Sequence, residues 1–181
     1  PFCPTVCPFC SFDVVERHVG AVDRYLECLE RDLVEVAGHH TFDLETIYVG
    51  GGTPSYLRSR EIERLVGLIR QHVGWSSIES TMEVHPGTAS RDRVSHWRDL
   101  GFSRLSVGVQ SFCPTVLDRL GRPHGVEDSR SAIEWCLESG ATTSIDLITC
   151  VPGQQLAAEL AAAVTSGADQ ISAYTLTIEE G

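Results

Sequence analysis

Positive charge is scarce in this chain. Lys and Arg total 14 against 25 Asp and Glu in 181 residues, a formal net charge of −11, and the pI is about 5.0. A non-specific nucleic-acid binder needs a basic face, so the acid excess argues against that class. Long apolar runs are missing too. The best candidate, Leu156 to Val164, is short and carries Glu159, so nothing reads as a transmembrane segment. No basic-then-apolar segment marks a signal peptide. Linkers, charge blocks and low-complexity tracts are also absent. With 42% hydrophobic and 22% charged residues, the composition is that of an ordinary globular domain with room for a sizeable core.

An even, dense cysteine framework is lacking as well. Seven cysteines are present, an odd number: Cys3, Cys7 and Cys10 crowd the first ten residues, and Cys28, Cys113, Cys136 and Cys150 are scattered. A secreted disulfide scaffold would be denser and even, so a reducing, cytoplasmic setting is expected. The scattered four are expected to be small buried hydrophobes.

Strand-like and helix-like segments alternate along the chain. Val15, Val19, Val22, Leu26, Leu29, Leu33 and Val36 recur at helical spacing, with Gly38 as the expected stop. Thr46 to Val49 reads as a buried strand. A helix from about Ser59 follows, with Ile62, Leu65, Ile69 and Val73 on one side. Further strands are expected at Thr81–Val84, Leu105–Val109, Thr143–Ile148 and Gln170–Tyr174. Between them lie helices around Val94–Leu100, Thr115–Leu120 with Glu127–Glu138, and Leu156–Ser166. Five strands separated by helices require a parallel sheet with crossovers. Alternation alone leaves open whether the sheet is flat or curls into a barrel. Gly50 to Ser55, His85 to Gly87, Gln110 to Phe112, Thr149 to Gly153 and Thr175 to Glu179 all follow strand C-termini. In parallel α/β folds that edge carries the site.

The strongest chemical signal is Cys3-Pro-Thr-Val-Cys7-Pro-Phe-Cys10. Thiolates suit soft metals and iron–sulfur clusters, and three in one loop can ligate three irons of a cubane and leave the fourth open. Zinc is the alternative and requires a fourth ligand, for example His18. The run Gly50-Gly51-Gly52-Thr53-Pro54 allows close backbone approach to a ligand, but it departs from the dinucleotide fingerprint, and a plain tight turn reads equally well.

The cysteine triplet with Phe9 before its last member resembles the radical S-adenosylmethionine (SAM) superfamily. The ordered set Gly-Gly-Gly-Thr-Pro-Ser, Glu83-Val-His-Pro-Gly-Thr88, Gly108-Val-Gln-Ser-Phe112, Leu120-Gly-Arg-Pro-His124, Asp146-Leu-Ile, Val151-Pro-Gly-Gln154 and Ser172 to Glu179 narrows the resemblance. It is similar to the oxygen-independent coproporphyrinogen III oxidase group, which includes HemW-like heme chaperones. The resemblance implies an α/β fold, a partial (β/α)6 TIM-like barrel of parallel strands. It implies a 4Fe-4S cluster on Cys3, Cys7 and Cys10, with SAM on the fourth iron and SAM cleavage as the chemistry. By motif position Phe9 would lie beside SAM, and Gly51, Gly52 and Thr53 would line its methionyl end. Glu83, Gln110, Arg122 and Asp146 would be further SAM contacts, with one or two SAM molecules.

Oxidase-type members resemble C-x-x-x-C-x-x-C-x-C. Phe12 stands here at the position of their fourth cysteine, as in the HemW-like branch. The expected function is therefore heme handling and insertion into acceptor proteins, with oxidative decarboxylation of coproporphyrinogen in porphyrin biosynthesis as the alternative. Expected ligands and partners are SAM, heme or a porphyrinogen, and heme-acceptor proteins. The stretch 1–181 reads as a radical SAM core cut from a longer protein, with its first strand reduced to Pro1-Phe2 and a C-terminal domain beyond Gly181.

Overall fold

A computed structural model describes residues 1–76 and 78–177. Ile178 and Glu179, the end of the last motif, lie outside the described residues. Two short strands, β1 (Phe2–Cys3) and β2 (Val15–Glu16), pair in parallel. Five longer strands form one parallel sheet: β3 (Thr46–Val49), β4 (Glu79–Val84), β5 (Arg104–Gln110), β6 (Thr142–Thr149) and β7 (Gln170–Thr175). Their spatial order is their chain order. A doubly wound sheet reverses direction at a switch point, whereas unbroken sequential order with the usual right-handed crossovers puts the crossover helices on one face. This is partial-barrel topology, and it leaves the opposite sheet face free to line a cavity.

The helices are α1 (Ala21–His39), α2 (Ser59–His72), α3 (Arg91–Asp99), α4 (Pro114–Arg119), α5 (Val126–Glu138) and α6 (Leu156–Thr165). Their apolar stripes meet the outward strand residues in one core. Leu26, Ile62, Trp97, Phe102, Leu105, Val107, Ile133 and Ile145 are among its nearly inaccessible members. Local signals set the boundaries: Ser90 Oγ accepts from the Arg93 amide at the start of α3, and Glu61 accepts from the Arg58 amide at the start of α2.

Several expectations are corrected. Thr46–Val49 is a strand but not a buried one: only Ile47 is buried, and Tyr48 is exposed. The helical face counted from Val15 begins only at Ala21. Val15 lies in β2 and Val19 is fully exposed, because Gly20 adopts φ 74 and interrupts the periodicity. Gly38 lies inside α1, which runs on to His39. The N-terminal strand is Phe2–Cys3 rather than Pro1-Phe2. Its ladder partner is β2, while a single bond from the Thr53 amide to the Phe2 carbonyl, 2.8 Å, ties it to the loop after β3.

Of the four scattered cysteines only Cys136 is buried; Cys113 is half-buried, and Cys28 and Cys150 are exposed. Cys28 sits on the outward side of α1, Cys113 directly precedes α4, and Cys150 occupies a left-handed turn after β6. Cys28 and Cys150 face away from the core, whereas Cys113 packs against the small apolar cluster of Val116, Leu120, Ile148 and Val151.

Candidate functional site

A cavity of about 790 Å³ opens at the C-terminal edge of the sheet. Alternation along the strands decides what enters it. Residues two apart share a face, so Glu83 of β4, Ser106, Gly108 and Gln110 of β5, Asp146 of β6 and Tyr174 of β7 all reach it. The loops above supply the rest. Cys3, Cys7 and Cys10 line the cavity, with Phe9 and Phe12 from the same loop, Gly51, Gly52 and Thr53 from the loop after β3, and Arg122 from the turn after α4. Every expected site residue therefore borders one space.

Two glycines hold the cysteine loop in place. A Cβ on Gly52 would stand 2.7 Å from the Pro1 carbonyl carbon and 2.9 Å from the Phe2 backbone. A Cβ on Gly121, at φ 64, would stand 2.9 Å from Cδ of Pro8. The loop thus packs against backbone on two sides. Phe9 seats among Val116, Leu120, Ile148 and Val151, a small apolar cluster separate from the main core. The Cys10 amide closes a turn on the Cys7 carbonyl, 3.0 Å.

The thiols face two polar partners. Cys3 Sγ lies 3.2 Å from Thr53 Oγ1, and Arg122 Nη1 donates to Cys7 Sγ at 3.2 Å. Burial pushes the Cys3 thiol up, opposed by the Thr53 hydrogen bond and reinforced by its two cysteine neighbours. Arg122 Nη2 donates to the Gly108 carbonyl at 3.3 Å, while its buried Nε has no partner. Among the described residues, no three His, Cys, Asp or Glu side chains converge on a position for a single metal ion. The exposed His18, the fourth ligand that zinc would need, does not border the cavity. A cubane takes one thiolate on each of three separate irons, so three thiols around a common space fit it better than they fit a mononuclear ion.

The cavity floor is acidic. Glu83 accepts from Tyr48 Oη and from the Gly51 amide, both at 2.9 Å. Burial raises its pKa, the two hydrogen bonds oppose that, and the Asp146 charge adds to it. Asp146 accepts from Ser106 Oγ at 3.2 Å and is also raised, chiefly by burial, against hydrogen bonds from Ser106 and Ser172 and the charge of Arg104. Behind the floor His85 and His124 meet edge to face, ring centroids 5.1 Å apart. Burial first and the Arg122 guanidinium second push His85 down to about 3 and His124 down to about 4, so both rings are neutral.

Sequence reasoning passed over Tyr48, Ser106 and Glu159. Tyr48 and Ser106 share the inward phase of Gly50 and of Gly108 and Gln110, so counting in twos from the motifs finds them. Glu159 accepts from Ser111 Oγ and, at 2.7 Å, from the Phe112 amide, beside the site. Its signal was its isolation as a carboxylate in an apolar helix.

This combination, a partial parallel barrel with three loop thiols at its C-terminal edge beside a polar cavity, defines a class. The family profile described as "Radical SAM superfamily" matches residues 1–162. The chain belongs to that superfamily, whose chemistry implies a 4Fe-4S cluster and SAM.

Among particular relatives, it is 32% identical over 186 residues to the protein named "Heme chaperone HemW" of Bacillus subtilis, across 99% of this chain and 49% of that one. To the "Oxygen-independent coproporphyrinogen III oxidase" of Escherichia coli it is 37% identical over 161 residues, 85% of this chain and 35% of the other. The solved structure of coproporphyrinogen III oxidase (HemN) from Escherichia coli superposes with a TM-score of 0.89 at 32% identity, covering 98% of this chain and 42% of that one. The chain spans about half the length of the HemW relatives it matches.

Proposed function

We propose that this chain is the SAM-binding core of a HemW-type protein that handles heme and passes it to acceptor proteins in the cytoplasm. The observation that carries the reading is the shared cavity: three thiols, two guanidiniums (Arg119 and Arg122) and two carboxylates border one space. SAM is a zwitterion with an added sulfonium, and it needs an anion near its ammonium and a cation near its carboxylate. Glu83 and Arg122 supply these charges. Charge-assisted hydrogen bonds are the strong ones in a partly desolvated pocket.

In this reading Cys3, Cys7 and Cys10 hold the cluster. Phe9, anchored in its own apolar pocket, keeps water from one side of it. Gly51, Gly52 and Thr53 border the methionyl end, and Gln110 and Asp146 contact the remaining polar groups of SAM. When bound, the cluster supplies the electron whose transfer to SAM gives methionine and a 5′-deoxyadenosyl radical. Arg122 donates to a ligand thiolate and also faces the cavity, so it joins the cluster site to the SAM site.

Heme handling is supported by the HemW relatives, at 32–34% identity, and by Phe12. This ring is 59% exposed and borders the cavity. A phenyl group there offers apolar surface to a flat macrocycle, whereas the cysteine at that position in oxidase-type members offers a thiol. Porphyrinogen oxidation is the second reading, favoured by the 37% identity to the Escherichia coli oxidase. The test uses the full-length parent, anaerobic and reduced, with SAM. Heme titration should show stable binding, and coproporphyrinogen III should persist. Robust protoporphyrinogen formation would replace the chaperone reading with the oxidase one.

A further inference from the structure

The turn after β5 is held more firmly than its length requires, and by side chains that the proposed SAM contacts do not include. Gln110 has φ 65, a left-handed value uncommon for a residue with a side chain. The Ser111 amide donates to the Val109 carbonyl at 2.8 Å, so an i to i+2 bond closes around Gln110. With positive φ at its centre this is the strained form of γ-turn. The β5–β6 register shifts at the same place. His124 Nε2 donates to the same Val109 carbonyl at 3.1 Å. From α6, Glu159, only 4% exposed, receives Ser111 Oγ on one oxygen and the Phe112 amide on the other at 2.7 Å.

A buried carboxylate is tolerated only when its oxygens are paired, and here both are paired with the two residues that follow Gln110. Such a backbone persists only where its surroundings over-determine it. The product of the turn is the placement of one amide. The Gln110 side chain folds over Gly108, its Nε2 3.0 Å from the point where a Cβ on that glycine would stand, and borders the cavity.

We propose that Glu159 is a positioning residue for Gln110: through Ser111 and Phe112 it holds the strained turn that presents the Gln110 amide to SAM. The inference rests on the reading of the cavity as a SAM site. A merely structural clamp would change stability and leave SAM affinity alone, or would change it regardless of what stands at position 110.

The experiment is equilibrium SAM binding to the anaerobically reconstituted protein as native chain, Glu159→Gln, Gln110→Ala and the double variant. Glu159→Gln keeps the shape but removes the charge that strengthens both hydrogen bonds and leaves one acceptor oxygen where there were two, so the hold on Ser111 and Phe112 weakens. It should weaken SAM binding about tenfold, and add nothing to the loss already caused by Gln110→Ala. A second variant leaves Glu159 intact. Gln110→Gly relieves the left-handed strain, so it should raise the thermal midpoint of the SAM-free protein while weakening SAM binding.

Equal losses from Glu159→Gln in both backgrounds would overturn the positioning role and leave the SAM site standing. So would native affinity in Glu159→Gln beside a clear loss in Gln110→Ala. If Glu159→Gln does not fold, Ser111→Ala decides, because it removes one of the two donors that Glu159 holds and leaves Gln110 in place: weakened SAM binding supports the proposal, and native affinity overturns it. Failure of the native chain to bind SAM would overturn both this inference and the site reading beneath it.

Discussion

At Glu83 burial and hydrogen bonding pull in opposite directions. Desolvation raises the carboxyl, and Tyr48 and the Gly51 amide hold it against that rise. A group so placed accepts a cationic partner readily, because a cation removes the remaining cost of its charge. Glu83→Ala should therefore weaken SAM binding by about tenfold or more, the order expected for a charged hydrogen bond lost in a partly buried site. Isothermal titration of the reconstituted variant checks this, and native affinity there would place the ammonium elsewhere.

The histidine pair makes a pH prediction. His85 and His124 stay neutral down to about 3 and 4, whereas the ordinary value is 6.5. Below that ordinary value the unfolded chain binds protons that the folded chain refuses, so stability falls as pH drops from 6.5 towards 4. Glu83 and Asp146, both raised, act in the opposite sense above the usual carboxylate range. The difference between proteins isolates the histidine part. The thermal midpoint of His85→Asn should drop less between about pH 7 and pH 5 than that of the native chain, and parallel curves would contradict the assignment. The motif residues of this site were legible in the sequence because each type carries its chemistry openly. Tyr48 and Ser106 were legible only by counting in twos from those motifs, and the burial of the two histidines was not legible at all, since it depends on which strand stands beside which.

Among the elements, the loop after β3 bears on the cysteine loop through backbone alone. Gly52→Ala would push a methyl carbon into Pro1 and Phe2 at under 3.0 Å, with no flexible side chain to yield. The displaced partner carries Cys3, so the variant should retain less iron after reconstitution while the sheet stays folded by circular dichroism. Full iron retention would show that the contact can relax. In the core, Trp97 of α3 is 1% exposed, and Trp97→Ala should cost about 3–5 kcal/mol in denaturant unfolding.

All five strands of the sheet and every helix after α1 were legible from periodicity and from Gly and Pro stops. The start of α1 was not, because Val15 and Val19 continue its spacing by chance across Gly20. The pairing of β1 with β2 was illegible too: two-residue strands carry no period, and their register is set by contact with distant backbone.

At the scale of the whole molecule, every one of the 14 positive side chains is an arginine. Several act as braces between segments: Arg93 reaches the Ser55 and Leu57 carbonyls, Arg98 the Phe102 carbonyl, and Arg122 Cys7 and Gly108. A planar fork of donors suits such bridging better than an ammonium does. Among the described residues no helix is long and apolar enough to cross a membrane.

The choice between an open sheet and a barrel could not be made from alternation, because both topologies produce it; strand order made it. That same order brings loops from opposite ends of the chain to one rim, and the central claim is that this rim forms one continuous site for cluster and SAM. The direct measurement is the electron paramagnetic resonance spectrum of the reconstituted, reduced cluster, recorded with and without SAM. SAM should change the signal of the native chain, Arg122→Ala should blunt the change, and Cys3→Ala, Cys7→Ala and Cys10→Ala should each lose the cluster. A cluster held without these thiols, or a spectrum indifferent to saturating SAM, would contradict that claim.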